Sequence, residues 1–505
     1  MKKLSLLFIG ICAMTHSYAQ EISDAVRYSQ DEIQGSARFR AMGGAFGALG
    51  GEMSAVSLNP AGSAIFNRSH ASFSLSNLTV NNDVSFFEGR GSSSESKFDL
   101  NQVGAAFVFN NTDENSPWKK FTLSFAYDKT GNFDNNWSVR GTNTRSIDNY
   151  FLSYAENLRL DEISAFEDET LGQAYSEIGS FYGYGNQQAF LGYESFILEP
   201  DEDTDANTSY TSNISGDRFN QGYSKVETGY NGKMSFNAAT QYGEHLYFGL
   251  NLNAHFISYE RFSNFTESNS NENSLVTNVD FENSLFTTGN GFSFQLGTII
   301  KLTNDLRAGL TYQSPTWYTI AEETTQYLST VISDDLGTDN IVINPNIINI
   351  FPDYKLQTPG KITGSLAYVF GTKGLLSFDY SRKDYSNTKF KPTSDLFFST
   401  QNSTMNDILQ AANTYRVGGE YRYKQISFRG GYRFEESPYV DNTFYGDLTG
   451  YSLGLGYSFG STRLDLTYDR SERTIDNQLF SRGLTSPVTL DNTNSNITLS
   501  LGFDL

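Results

Sequence analysis

The chain has 505 residues and carries 36 Lys and Arg against 57 Asp and Glu, a formal net charge of −21. So acidic a chain excludes nucleic acid as a partner, because neutralising phosphates requires a basic surface. Its 40 Phe and 31 Tyr beside 10 Pro and a single Cys suit an aromatic-rich β protein.

The first twenty residues, MKKLSLLFIGICAMTHSYAQ, place Lys2 and Lys3 before an apolar run from Leu4 to Met14 and a small-x-small site at Ser17-Tyr18-Ala19. They read as a secretory signal with cleavage expected after Ala19. Cys12 lies inside that leader, so neither a disulfide nor thiolate chemistry is expected of the mature chain. Beyond Met14 no stretch approaches the roughly 18 apolar residues of a membrane-spanning helix.

Residues 43–62, GGAFGALGGEMSAVSLNPAG, are dense in small residues. The glycines Gly43, Gly44, Gly47, Gly50 and Gly51 lack both GxGxxG spacing and a GK[ST] ending, and no apolar strand precedes them. Close backbone packing, for which glycine supplies the missing Cβ, is the better reading.

Strands follow. Phe121, Leu123, Phe125 and Tyr127 share one face, as do Leu246, Phe248, Leu250 and Leu252, and later Leu464, Leu466 and Tyr468. Each run has about the length a tilted strand needs to cross a bilayer. The pattern predicts 14 strands, near 70–78, 101–110, 119–129, 233–241, 246–259, 291–302, 306–314, 361–370, 374–383, 412–423, 425–435, 450–459, 463–470 and 495–505.

Short turns such as 242–245, 303–305, 371–373, 423–425 and 460–462 alternate with long polar segments near 79–99, 131–232, 260–289, 315–358, 384–411, 435–449 and 472–493. That asymmetry predicts an all-β fold, a transmembrane antiparallel β-barrel in an outer membrane. In the longest segment, 131–232, Tyr150, Phe151, Tyr154, Leu158 and Leu160 recur at helical spacing, so it is expected to hold helices of its own.

At the end, NITLSLGFDL alternates strictly from Ile497 to Leu505. Such a strand resembles the C-terminal signal that barrels present to the barrel-assembly machinery, with Leu505 where Phe is commoner.

The segment ending in Asn59-Pro60-Ala61 ahead of the first strand resembles the N-terminal hatch of the FadL/TodX family of outer-membrane transport proteins. YKLQTPGKITGSLAYVFG, 354–371, is similar to that family in placing Pro359 ahead of a strand. The resemblance implies a barrel (70–505) plugged inside its lumen by a hatch (20–69). Through it, hydrophobic compounds such as long-chain fatty acids or aromatic hydrocarbons would cross passively, amid outer-membrane lipid and lipopolysaccharide. It implies no cofactor, and gating by Asn59, Pro60, Ala61 and the five glycines. It also implies lateral exit at a kink in the third strand, yet KKFTLSFAYDKTG has neither Gly nor Pro before Gly131 to mark one.

If Val417, Tyr421, Phe428 and Tyr432 face lipid, then Arg416, Glu420, Arg422, Arg429 and Arg433 face the lumen, joined by Asp379, Arg463 and Asp465. The expectation is a salt-bridged wall that holds a plug, with one arginine available to a ligand carboxylate. Hatch residues Phe39, Met42, Phe46 and Leu49 are the candidates for the apolar body of the pocket.

Other motifs carry less. GYSLG, 450–454, matches G-x-S-x-G around Ser452 but lies in an alternating strand, not the strand-to-helix turn a nucleophile needs. His70, His245 and His255 show no ligand spacing, and Asp201, Asp203 and Asp205 lack the Gly and Glu of a calcium loop, so no metal is expected. The chain is thus read as no enzyme. The alternative function is a surface adhesin or structural barrel acting through 131–232.

Overall fold

The computed structural model describes residues 21–334 and 337–505. The expected leader, with Cys12 and its cleavage site, lies outside the described residues.

Fourteen strands close into an antiparallel ring. They are β1 (His70–Phe86), β2 (Gly89–Asn110), β3 (Trp118–Asn132), β4 (Phe219–Tyr242), β5 (Leu246–Ser268), β6 (Val276–Lys301) and β7 (Leu306–Gln313). Then come β8 (Lys361–Val369), β9 (Gly374–Asp384), β10 (Ala411–Tyr423), β11 (Ile426–Glu435), β12 (Leu448–Ser458), β13 (Thr462–Gln478) and β14 (Pro487–Asp504). β1 pairs with β14 from His70↔Asp504 to Ser85↔Thr489, so no edge is left to aggregate.

Alternation sets the two faces. Phe248, Leu250 and Leu252 of β5 and Phe292, Leu296 and Ile300 of β6 are exposed to lipid. Between them Asn251, Asn253, Ser293 and Gln295 point inward and are buried. Trp118 and Tyr242 meet edge-to-face at 5.0 Å on the short-turn rim, where amphipathic rings sit at a membrane interface.

Four of the expected long loops are largely strand. In 315–358, Trp317–Asp334 pairs along β6 from Trp317↔Phe292 to Ile332↔Val276, and in 472–493, β13 and β14 pair from Glu472↔Thr493 to Gln478↔Pro487. β1 and β2 stay paired across 79–99 to a turn at Phe87 and Glu88, and β5 and β6 pair through 260–289 apart from 269–275. The apolar alternation fades there because the outer face has left lipid for water, as exposed Glu260 shows, while the backbone ladder continues.

The segment expected to loop from 131 to 232 is shorter as a loop, since Asn135–Asn143 pairs with β4, which already begins at Phe219. The rest folds into a cap of three helices, Asp148–Ala155, Leu171–Phe181 and Tyr184–Glu194. The expected stripe is helical in part: Tyr150, Phe151 and Tyr154 lie in Asp148–Ala155, whereas Leu158 lies beyond it and Leu160 in a 3-10 turn. Tyr150, Phe151 and Leu160 are buried with Tyr175, Phe190 and Leu191. This core packs on the inward residues Phe265, Val279, Phe281 and Leu328 of the projecting strands.

Inside the barrel lies the N-terminal segment. Helix α1 (Ile22–Ser29) occupies the upper lumen, where Ala25, Val26 and Tyr28 pack against Tyr259, Ile320, Tyr354 and Phe390. Below it come α2 (Ala37–Ala41), α3 (Met53–Val56) and a 3-10 turn, Pro60–Ile65.

Candidate functional site

The plug is built from tight turns closed by side-chain caps. Ser36 caps α2 through Phe39 N–H, Glu52 caps α3 through Ala55 N–H, and Asn59 caps the 3-10 turn through Ala61 N–H at 3.1 Å. Pro60 sits at the first position of that turn, where a missing N–H costs nothing. Asn59 also donates to the carbonyls of Gly47 at 2.7 Å and Thr298 at 3.2 Å, tying the plug to itself and to β6.

Gly43, Gly44, Gly50 and Gly51 take φ between 59° and 74°, the left-handed region that side chains disfavour. Gly47 does not; there a Cβ would lie 2.0 Å from Ser365 Oγ of the wall. Backbone conformation therefore accounts for four of the five glycines, and contact with the wall for the fifth and for Gly43, whose Cβ would press on the Tyr432 backbone at 3.1 Å.

The wall answers with glycines that sequence reasoning did not single out. Added Cβ atoms would meet Pro60 at 2.2 Å from Gly249, Asn59 Oδ1 at 2.0 Å from Gly297, and Gly47 O at 2.3 Å from Gly309. The same holds for Met42 O at 2.4 Å from Gly418, Gly43 N at 2.2 Å from Gly431, and Ala41 Cβ at 2.4 Å from Gly454. Six strands thus present an inward glycine at one level, and the plug backbone fills the space. The available signal was a glycine at an inward-facing position within a strand.

Polar groups complete the seat. The Asp379 carboxylate accepts Phe46 N–H at 2.9 Å and Gly47 N–H at 3.0 Å. Asn251 donates to Val56 O at 2.8 Å, Gln295 to Ser57 O at 3.1 Å and Asn237 to Pro60 O at 3.0 Å. Ser452 of the hydrolase-like motif donates to Ala41 O and accepts Gly43 N–H, within β12 and without a nucleophile's turn.

The charged wall divides in two. Glu420 accepts from Arg429 at 2.6 Å, Arg422 at 2.6 Å and, from the plug, Arg38 at 2.9 Å. Asp465 joins Arg429 at 2.6 Å to Arg463 at 2.8 Å. Arg38 is the missing partner in the sequence reading, as is Arg40, which grips Asp469 with two bonds of 2.8 and 2.7 Å.

Arg416 and Arg433 belong instead to a chamber of about 110 Å³ above the plug. They reach Glu435 only at 4.0 and 3.5 Å, and Arg416 Nε has no hydrogen-bond partner. Asp31, held by Lys361 at 2.8 Å, and Lys383 line the same space. Phe39, Met42, Phe46 and Leu49 do not line it. They are buried against one another in the plug core, and the apolar surface of the lumen is the ring of aromatic and aliphatic groups around α1.

The third strand is irregular at Gly131, which the structure places inside it. Its register with β4 shifts between Lys129 and Gly131, and its ladder with β2 ends at Gln102↔Asp128 while β2 runs on to Gly89. Across the resulting seam side chains bridge: Lys129 to Asp99 at 2.5 Å, Lys97 to Asp134 at 2.8 Å and, farther out, Ser93 to Asn136 O. Exposed Phe98 and Leu100 flank it.

Of the histidines, His70 pairs with Asp504 and His255 with Ser293; among the described residues no group of metal-ligating side chains is assembled.

A FadL homologue from Pseudomonas aeruginosa shares this fold with a TM-score of 0.55 and 11% identity, over 94% of this chain and 99% of that one. The toluene transporter TodX of Pseudomonas putida gives 0.50 and 13% over 94% and 100%, and CymD, a monoaromatic hydrocarbon channel, 0.50 and 14% over 94% and 99%. No curated protein matches the sequence. These family and fold relatives are transporters and channels, not enzymes. The sequence model described as outer membrane protein transport protein (OMPP1/FadL/TodX) matches residues 203–503, and the chain belongs to that family.

Proposed function

We propose that this outer-membrane barrel is a passive channel for hydrophobic compounds, gated by residues 21–69, and not an enzyme. The observation that carries the reading is the division of the lumen. An apolar ring around α1 lies on the cap side, and the plug seated on the glycine belt blocks the straight path below it. An apolar solute gains about 0.8 kcal/mol per buried CH₂ in such a ring, and leaving again requires the packing to give way. The names of TodX and CymD point to small aromatic hydrocarbons as one substrate class. Arg416 and Arg433, loosely paired, suit a ligand that also carries a carboxylate.

The seam between β2 and β3 favours lateral departure into the membrane. Its bridges include two ion pairs in place of ladder hydrogen bonds, and the one at Lys97, which is half exposed, contributes about 1 kcal/mol or less. The last strand would engage the barrel-assembly machinery. An adhesive role for the cap finds no support in its core, which is turned against the barrel.

The test is uptake of radiolabelled toluene and oleate by cells that make the chain, with single-channel recording of a variant lacking residues 21–62. Uptake of at least one compound, slow ion flow in the intact chain and large steady conductance in the deletion are expected. No uptake above cells without the protein, or unchanged conductance, overturns the reading.

A further inference from the structure

Above the lipid band, a groove of about 690 Å³ crosses the outer face of the projecting sheet. Its floor is one continuous row of cross-strand neighbours: Arg140, Gly222, Thr266, Asp280 and Ser329, each paired with the next. A second row runs beside it from Thr142 through Asn220 and Ser268 to Asn278. Four ladder steps make the first row roughly 19 Å long. The opposite face of these strands is covered by the cap, with Val279 and Leu328 in its core, so the groove face is the free one.

The chemistry of the lining is specific. Hydroxyl and amide side chains are its most frequent polar groups, among them Thr142, Thr266, Ser268 and Asn278. The hydroxyls are engaged only weakly within the protein: Thr142 to Asn220 at 3.4 Å and Thr266 to Gly222 O at 3.5 Å. Arg140 is the one cation in the lining, which also contains Glu88, Glu267 and Asp280, so phosphate is a poor fit. No large aromatic side chain lies in it to anchor a protein partner.

Position supplies the occupant. Exposed Glu260 of β5 marks water beyond the hydrocarbon, and Thr266 is six residues farther out. In an outer membrane, the neighbour at that height is the sugar of the surrounding lipopolysaccharide. We infer that this groove binds an uncharged stretch of the lipopolysaccharide saccharide, laid across the strands and hydrogen-bonded to the two polar rows.

The test uses the full chain in detergent and the lipid-free oligosaccharide released from the host's lipopolysaccharide by mild acid, with binding read by calorimetry. The double variant Thr266→Leu with Asn278→Leu, both at exposed positions, should bind at least tenfold more weakly, and Thr266→Ser should bind as the parent does. Hydrophobe uptake, measured separately, should stay unchanged in all three, which keeps this inference distinct from the channel function. No binding by the parent, or equal binding by the double variant, overturns it.

Discussion

Asp379, on β9 of the wall, holds Gly47 of the plug through its backbone N–H at 3.0 Å, at a point where a Cβ on Gly47 would lie 2.0 Å from Ser365 Oγ. A carboxylate and an absent side chain thus act together: one supplies the bond, the other the approach distance. Hydrogen bonds to a charged group contribute about 1.5 to 3 kcal/mol each. Asp379→Ala is therefore expected to raise the fraction of time the barrel conducts by about tenfold or more, read in planar bilayers. An unchanged open fraction would show that the plug is held elsewhere.

Glycines of the wall should be as sensitive as those of the plug. Gly297→Val and Gly431→Val each place carbon where Asn59 Oδ1 and Gly43 N now sit. Both should give barrels that assemble yet admit large antibiotics, scored as a fall in the inhibitory concentration of vancomycin. Gly364, where an added Cβ meets nothing within 4 Å, provides the control: Gly364→Ala should behave as the parent.

Glu420 is buried beneath three arginines, one of them from the plug. Removing one partner of a buried ionic cluster leaves the others uncompensated and costs about 3 to 5 kcal/mol. Glu420→Gln should lower the temperature at which the folded barrel loses its fast electrophoretic migration. Adding Arg38→Met should restore part of the loss, because one stranded charge is then gone.

Outside the membrane, Glu267 ties the cap to β5. It accepts from Ser146 at 2.5 Å, Ile147 N–H at 3.0 Å and Gln221 at 2.7 Å. Burial, reinforced by Asp148, pushes its carboxyl up to about 7. Because the folded value lies above the unfolded one, the stabilisation is complete below pH about 4.5 and is lost as pH rises through 7, to a total of about 3 kcal/mol. Hydrogen exchange at residues 144–150 should quicken between about pH 4.5 and 7 after correction for intrinsic rate. In Glu267→Gln the corrected exchange should be flat with pH.

How much was legible depended on whether a signal was local. The parity of Arg416, Glu420, Arg429 and Arg433 placed all four inward, and the structure has them there. The plug partner of Glu420 was not legible, since Arg38 comes from a segment 382 residues away with no periodicity of its own. The upper halves of β1, β2, β5 and β6 were read as loops because apolar alternation reports the solvent outside the strand, not the ladder.

The sequence by itself determined the two-residue period, the number of strands and the inward charges, because each follows from which face of a strand meets lipid. Only the tertiary structure decided what the small residues are for. Gly47, Gly297 and Gly431 lie on separate elements far apart in the chain, and their purpose is a close approach that exists only once the barrel has closed around its plug. The seam between β2 and β3 arises in the same way, from the register of β3 against β4, a property of pairs of strands that no single strand encodes.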